Sequence, residues 1–265
     1  MQQVRPKKFL GQHFLADAAI AERIVDALTF EGYKRVIEIG PGMGVLTSLL
    51  AERAEEKLTV IEIDKESVAY LKAHFPDNKL NVVEEDFLQM DLLPLLDSPV
   101  AVIGNFPYNI STQIVFRVYD NRDSIVEVVG MFQKEVAQRI CAAPGSRVYG
   151  IQSVLMQSCY DCEYLFTVEP KVFNPPPKVQ SGVIRLKLNR TKKTISSEAD
   201  FRKVIKTAFN QRRKTLRNAL RGLLQPTHQA DAIPFKEKRA EELSWQQFDE
   251  LTQWVVGGGE FLQYK

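Results

Sequence analysis

Only three cysteines occur among the 265 residues, Cys141, Cys159 and Cys162. So few, and odd in number, they exclude a disulfide-built secreted scaffold and suit a reducing cytoplasm. Cys159-Tyr160-Asp161-Cys162 has C-x-x-C spacing, yet no second pair completes a zinc site, so a structural role and no metal are expected. No apolar run approaches the roughly 20 residues that span a bilayer, so no membrane partner is expected. The basic opening Met1-Gln2-Gln3-Val4-Arg5-Pro6-Lys7-Lys8-Phe9-Leu10 has no apolar stretch behind it, unlike a signal peptide. The chain lacks G-x-x-x-x-G-K-S/T, which excludes a P-loop. It also lacks G-x-G-x-x-G, which weakens the case for a dinucleotide. There is no internal repeat and no low-complexity segment.

A hydrophobic share of 45% is ample for a packed core. The net charge of +2 conceals an asymmetry. Residues 201–225 carry Arg202, Lys203, Lys206, Arg212, Arg213, Lys214, Arg217 and Arg221 with no acidic residue, whereas residues 52–91 are rich in Glu and Asp. A basic block in a balanced protein points to a polyanionic partner.

The first part of the chain alternates helix and strand signals. Apolar residues at helical spacing predict a helix over 17–28, and Arg35–Ile39 reads as a strand running into Gly40-Pro41-Gly42-Met43-Gly44. A helix over 45–53, a strand over 57–64, a helix over 66–74 and a strand over 80–83 follow. Further apolar runs at 100–103, 124–132 and 182–188 complete a doubly wound, mainly parallel α/β sheet of the Rossmann-like kind. A polar stretch from Asn189 through Lys193 to Ser197 reads as a linker. Beyond it only helices are expected, over 201–224 and 244–256, the latter capped by Ser244. The division is therefore residues 1–190 for a catalytic domain and 191–265 for a small helical one.

The most informative segment is Gly104-Asn105-Phe106-Pro107-Tyr108-Asn109, behind the apolar run Val100–Ile103. A carboxamide, a rigid proline and an aromatic ring at the carboxyl end of a strand suit holding a flat base while acceptors grip its exocyclic amine. The glycines at 40, 42 and 44 let the backbone approach a ligand at a helix N-terminus. Glu62 ends the next strand, where an acid can accept both hydroxyls of a ribose, and Asp86 follows the third, placed for an adenine amine. Singly these carboxylates read as solvated loop residues. Together, behind a glycine loop and without a pyrophosphate fingerprint, they describe an S-adenosyl-L-methionine site.

At this point the chain resembles the ribosomal RNA adenine N6-dimethyltransferases, and the small-subunit enzymes more than the antibiotic-resistance enzymes of the large subunit. The likeness rests on Lys8–Leu15, Glu38–Thr47, Glu62–Asp64, Glu85-Asp86, Gly104–Ser111 and Phe173–Ser181, in that order along nearly the whole chain. It implies the class I methyltransferase fold and cofactor contacts from His13, Leu15, Gly40, Glu62, Asp86 and Asn105, with Gly42 in the same loop. Two positions depart from the family's common pattern. His13 stands where Asn is usual, which leaves side chain or backbone open for that contact, and Phe106 stands where Leu is usual. The role ascribed to position 106 belongs to its carbonyl.

The catalytic reading follows. The Asn105 side chain accepts one amine hydrogen, a carbonyl of the Phe106-Pro107 turn accepts the other, and Tyr108 and Phe173 sandwich the ring. Phe173 alone would read as a core aromatic. Arg202, Lys206, Arg213, Arg217 and Arg221 recur at helical spacing, and on a continuous helix they form one phosphate-tracking stripe, which a break at Asn210-Gln211 would split. The implied substrate is two adjacent adenosines near the 3′ end of 16S ribosomal RNA in an immature small subunit, methylated by a cytoplasmic monomer. Two alternatives stay open: a 23S ribosomal RNA adenine N6-methyltransferase conferring antibiotic resistance, and a non-catalytic ribosome-assembly or RNA-binding factor. The intact motifs argue against the last.

Overall fold

The computed structural model describes residues 4–192, 194, 196–225 and 230–259; Met1–Gln3 and Lys193 of the sequence reading lie outside them. Among the described residues nine strands are formed: β1 (Phe14–Leu15), β2 (Arg35–Ile39), β3 (Leu58–Glu62), β4 (Leu80–Glu84), β5 (Val100–Asn105), β6 (Ile125–Gln133), β7 (Tyr160–Val168), β8 (Phe173–Asn174) and β9 (Ser181–Leu188). The α-helices are α1 (Ala18–Val25), α2 (Val45–Arg53), α3 (Lys65–His74), α4 (Ser111–Asp120), α5 (Lys134–Cys141), α6 (Ile151–Gln157), α7 (Glu198–Asn210), α8 (Leu216–Ala219) and α9 (Trp245–Val256). The chain divides into two compact units, Met1–Gln138 with Asp161–Leu188, and Arg139–Tyr160 with Asn189–Lys265. The single cut expected at 190 differs from this by residues 139–160, a segment whose α6 the sequence reading did not identify.

The first unit is built on a seven-stranded sheet in the order β4-β3-β2-β5-β6-β9-β7. β4, β3, β2, β5 and β6 run parallel, and β9 joins β6 antiparallel. Val100 to Ile103 of β5 are wholly buried, which explains their unbroken apolar run: a central parallel strand is covered on both faces. Strand order reverses between β2 and β5, and that switch point opens a crevice at their carboxyl ends. The helices begin where capping chemistry allows. Asp17 accepts from the Ile20 N–H at 3.0 Å to start α1, and the Asp64 carboxylate accepts from the Glu66 N–H at 3.2 Å to start α3. Helix α4 and strand β7 lay outside the sequence expectations.

Among its described residues the second unit is helical apart from one bridge and the start of β7. Its core includes Phe201, Ile205, Leu216, Leu220, Phe248 and Leu251, all wholly buried. Ser244 caps α9, as the sequence suggested, and Gln247 makes the cap a reciprocal capping box. The expected continuous helix over 201–224 is corrected. Helix α7 ends at Asn210, a turn follows, and α8 is a single turn. The physical reason is a competing pairing: Thr215 bridges Arg239, and the N–H groups of Leu216 and Arg217 donate to the carbonyls of Lys238 and Lys236. The single basic stripe is therefore split. Arg202 and Lys206 sit on α7, Arg213 in the turn, Arg217 on α8, and Arg221 on the short helical turn after it.

Candidate active site

A cavity of about 190 Å³ lies at the switch point, lined by His13, Gly40, Gly42, Glu62, Asp86, Asn105, Phe106, Pro107 and Tyr108 among others. Nine of the sequence-derived site residues thus converge on one space. Leu15 lines a smaller cavity of about 30 Å³ that shares Gly40 and Asn105 with the first. Phe173 is not in the lining of either. It is 4% exposed, pairs with Leu15 in the β1–β8 ribbon and packs in the main core. In this structure its ring is core, and Phe14 and Tyr108 are among the aromatic residues that line the cavity.

The loop after β2 approaches the cavity because Gly40, Gly42 and Gly44 all have positive φ, at 66°, 56° and 79°. A β-carbon at Gly42 would lie 2.8 Å from the Phe14 ring, so the loop and the N-terminal segment fit only without it. Glu62 is 4% exposed and accepts from the Gly42 N–H at 3.1 Å and from the Asp64 N–H at 2.9 Å. Burial pushes its carboxyl above the usual range, while those N–H donors pull the other way. Asp86, half-buried, accepts from the Leu88 N–H at 2.9 Å and borders the cavity. Ile63, 49% exposed, adds an apolar side chain to the same lining.

Asn105 closes β5 with its amide orientation set. Its Nδ2 donates to the His13 carbonyl at 2.8 Å, which leaves Oδ1 as an acceptor. His13 thus contributes its backbone to this contact, while its ring bonds the Pro175 carbonyl at 2.7 Å and lies 5.5 Å from the Tyr108 ring. The Tyr108 hydroxyl meets Ser181 Oγ at 2.6 Å, and burial pushes it up, so the phenol stays neutral. Phe106 is 1% exposed and turns its ring inward, edge-on to Phe132 with 5.0 Å between centroids. Glycine makes that possible: a β-carbon at Gly130 would stand 2.3 Å from the Phe106 ring, and one at Gly104 2.8 Å from it and 2.5 Å from the Ile39 carbonyl. Only backbone of position 106 is left to face the cavity.

The first residues wrap the site. Lys7 pairs with Asp64, and with Glu66 at 3.2 Å, while Gln12 bonds Asp64 at 3.3 Å. Burial works to raise the Asp64 carboxyl, but the Lys7 and Gln12 hydrogen bonds prevail and hold it below the usual range.

Two residues escaped the sequence reading. Glu38 is 1% exposed in β2, accepts from Thr47 Oγ1 at 2.6 Å and lines the smaller cavity beside Asn105. Burial pushes its carboxyl up to about 8. Its signal was a lone acid inside the apolar strand Val36-Ile37-Glu38-Ile39. Arg117 of α4 donates to the carbonyls of Leu88 and Met90 and lies over Phe87, 5.4 Å from its ring centroid, so it anchors the loop that carries Asp86. Nothing in its local sequence marks it.

In the second unit, Lys206, Arg213 and Arg221 are exposed, whereas Arg202 pairs with Glu198 at 2.9 Å and Arg217 with Asp231 at 3.0 Å. Among the described residues no group of three or more His, Cys, Asp or Glu is placed to hold a metal ion, and no helix is long and apolar enough to cross a membrane.

Residues 3–255 match the family model described as ribosomal RNA adenine dimethylase. The chain is 54% identical over 258 residues to the ribosomal RNA small subunit methyltransferase A of Cytophaga hutchinsonii, covering 97% of this chain and 100% of that one. It is 54% identical over 253 residues to the protein of the same name from Parabacteroides distasonis, covering 95% and 94%. Among solved structures, a dimethyladenosine transferase from Plasmodium falciparum superposes with a TM-score of 0.76 at 24% identity, covering 89% of this chain and 94% of that one. The 23S ribosomal RNA methyltransferase ErmE gives 0.71 at 22% identity, covering 92% and 99%. Both establish the class I methyltransferase fold.

Proposed function

The chain belongs to the ribosomal RNA adenine dimethylase family, and from that premise we propose that it converts two adjacent adenosines near the 3′ end of 16S ribosomal RNA to N6,N6-dimethyladenosine. The name shared by the relatives at 54% identity supports the small subunit as target over the large one. The observation that carries the chemistry is the Asn105 amide, whose Nδ2 is committed to the His13 carbonyl so that Oδ1 is left to accept.

The donor residues fit S-adenosylmethionine. Gly40 and Gly42 bring backbone to the cavity, Glu62 and Asp86 supply carboxylates for ribose hydroxyls and an adenine amine, and Ile63 offers an apolar face for the base. When bound, the cofactor supplies a methyl group on a positively charged sulfur. The protein's part is positioning. Asn105 Oδ1 and the Phe106 carbonyl accept the two hydrogens of the target amine, which turns the nitrogen lone pair out of conjugation. Tyr108, fixed by Ser181, offers its ring to the target base. Held in line, the amine needs no strong base, because the methylated nitrogen is acidic and sheds its proton to solvent.

The target base must leave its stack to enter this cavity, so the substrate is unpaired or flipped RNA. Lys206, Arg213 and Arg221 serve as phosphate contacts, with Arg202 and Arg217 joining them by exchanging their carboxylate partners for phosphates. The protein acts as a cytoplasmic monomer on an incompletely assembled small subunit. The test is transfer of labelled methyl from S-adenosylmethionine to purified small and large particles, with the modified adenosines mapped. Label confined to adjacent adenosines near the 3′ end of small-subunit RNA is expected. Label in large-subunit RNA, or none in either, overturns the proposal.

A further inference from the structure

Phe9 is 78% exposed, the one aromatic among the large hydrophobic side chains that the described residues leave in solvent. Its placement is not that of a loose end. Lys8–Leu10 form a tight turn closed by Gly11, whose φ is 66° and whose N–H returns to the Lys8 carbonyl at 3.1 Å. Lys7 anchors one side of that turn to Asp64. Asn109 holds the other, with Nδ2 donating to the Phe9 carbonyl at 3.4 Å. Asn109 follows Tyr108 directly, so the turn is tied to the loop that carries Asn105. Leu10 to Phe14, immediately after Phe9, line the cavity itself. Phe9 therefore sits on a fixed support directly before the segment that lines the cavity. While Lys7 is turned to carboxylates, Arg5 and Lys8, both shortly before Phe9 in the chain, remain exposed.

An exposed ring with two exposed cations just before it in the chain, next to a pocket that takes one unstacked base, has the composition of a single-strand stacking platform. Accepting the reading of the pocket given above, we infer that Phe9 stacks on the nucleotide next to the target adenosine in the RNA strand, with Arg5 and Lys8 taking its phosphates. The chemical class of the ligand is an unpaired ribonucleotide. Phe9 is a positioning residue: it touches no reacting atom, and it holds the strand from which the target base is turned out.

The experiment compares the full-length protein with Phe9→Ala and Phe9→Tyr. Wild-type transfer of labelled methyl to small-subunit particles comes first, and its absence defeats the proposed function and not merely the platform. Given that transfer, Phe9→Ala should raise KM for the particle by about tenfold, within the range that loss of one base–aromatic stack allows, and Phe9→Tyr should restore it. Affinity for S-adenosylmethionine measured without RNA should be unchanged. A small-subunit RNA hairpin carrying 2-aminopurine beside the target adenosine should be quenched on binding wild type and Phe9→Tyr, but not Phe9→Ala. Unchanged KM and quenching overturn the inference, as does a loss of cofactor affinity in Phe9→Ala, which would make Phe9 part of the cavity wall. A rise in KM on particles with hairpin quenching intact also overturns it, because the ring would then meet a protein.

Discussion

Substituting Asn105 separates the two tasks that its amide performs. In Asn105→Ala both are lost: Oδ1 no longer accepts the target amine, and the His13 carbonyl loses its donor at 2.8 Å. One hydrogen bond to a group gaining positive charge contributes about 1.5–3 kcal/mol, a factor of roughly 10 to 150 in rate. Misplacement of the amine adds about a hundredfold more. The expected loss in kcat is therefore on the order of 10³ to 10⁴. Asn105→Asp keeps an acceptor toward the amine but sets a carboxylate oxygen against the His13 carbonyl, in a segment that lines the cofactor cavity. Its kcat should fall about tenfold, with KM for S-adenosylmethionine raised more than in Asn105→Ala. Initial rates of labelled methyl transfer at varied cofactor and saturating particle give both parameters, and equilibrium binding to RNA should stay near wild type in both variants. If Asn105→Ala retains turnover within threefold of wild type, the amide does not hold the amine and the mechanism fails.

Glu38 gives a stability test. Its carboxyl is raised to about 8 in the folded protein, so the fold binds this proton more tightly than the unfolded chain. The contribution is thus fully favourable below the ordinary range near 4.5 and is lost as pH rises toward 8, on the order of a few kcal/mol. Glu38→Gln should leave Tm nearly unchanged at pH 5 and raise it relative to wild type at pH 8.5; a constant difference across that range refutes the assignment. Arg117→Met leaves the Leu88 and Met90 carbonyls unmet and loosens the Asp86 loop, so Kd for S-adenosylmethionine should rise about tenfold while kcat at saturation is kept. Arg117→Lys should not rescue it, since one ammonium lacks the planar fork that serves both carbonyls. Lys206→Glu with Arg213→Glu should weaken RNA binding and reduce its salt slope by about two, one for each phosphate deprived of its cation. An unchanged slope assigns phosphate binding to other residues.

The parallel part of the sheet was legible because its strands announce themselves. Central strands such as Val100–Ile103 are apolar without interruption, and each is followed by a glycine or acidic loop where ligands bind. The cavity residues were legible for the same reason, sitting at strand ends in order. The core position of Phe173 was not legible, because an aromatic next to prolines carries no mark of which way its ring turns, and β1 pairs with β8 at this residue. The second unit was harder still. Spacing over 201–224 fits one helix, and only the long-range bonds to residues 236–239 break it. Segment 139–160 joins that unit by tertiary packing that local pattern does not encode. Arg117 acts on carbonyls 27 and 29 positions away, beyond any short-range signal.

The inward ring of Phe106 has a consequence for how this pocket can change over generations. Positions 106 and 130 draw on the same space, so their histories are linked and their order of change is constrained. A side chain cannot arise at 130 while the aromatic rings stand at 106 and 132, 2.3 and 2.6 Å from where its β-carbon would lie, so 106 must shrink and Phe132 must move before an alanine at 130 becomes accessible. The return path is then shut, because the ring cannot re-enter until glycine does. Position 104 gains no such freedom, since its β-carbon would meet the Ile39 backbone whatever 106 carries. Lineages of this fold should therefore show glycine fixed at 104 and a one-way dependence between 106 and 130.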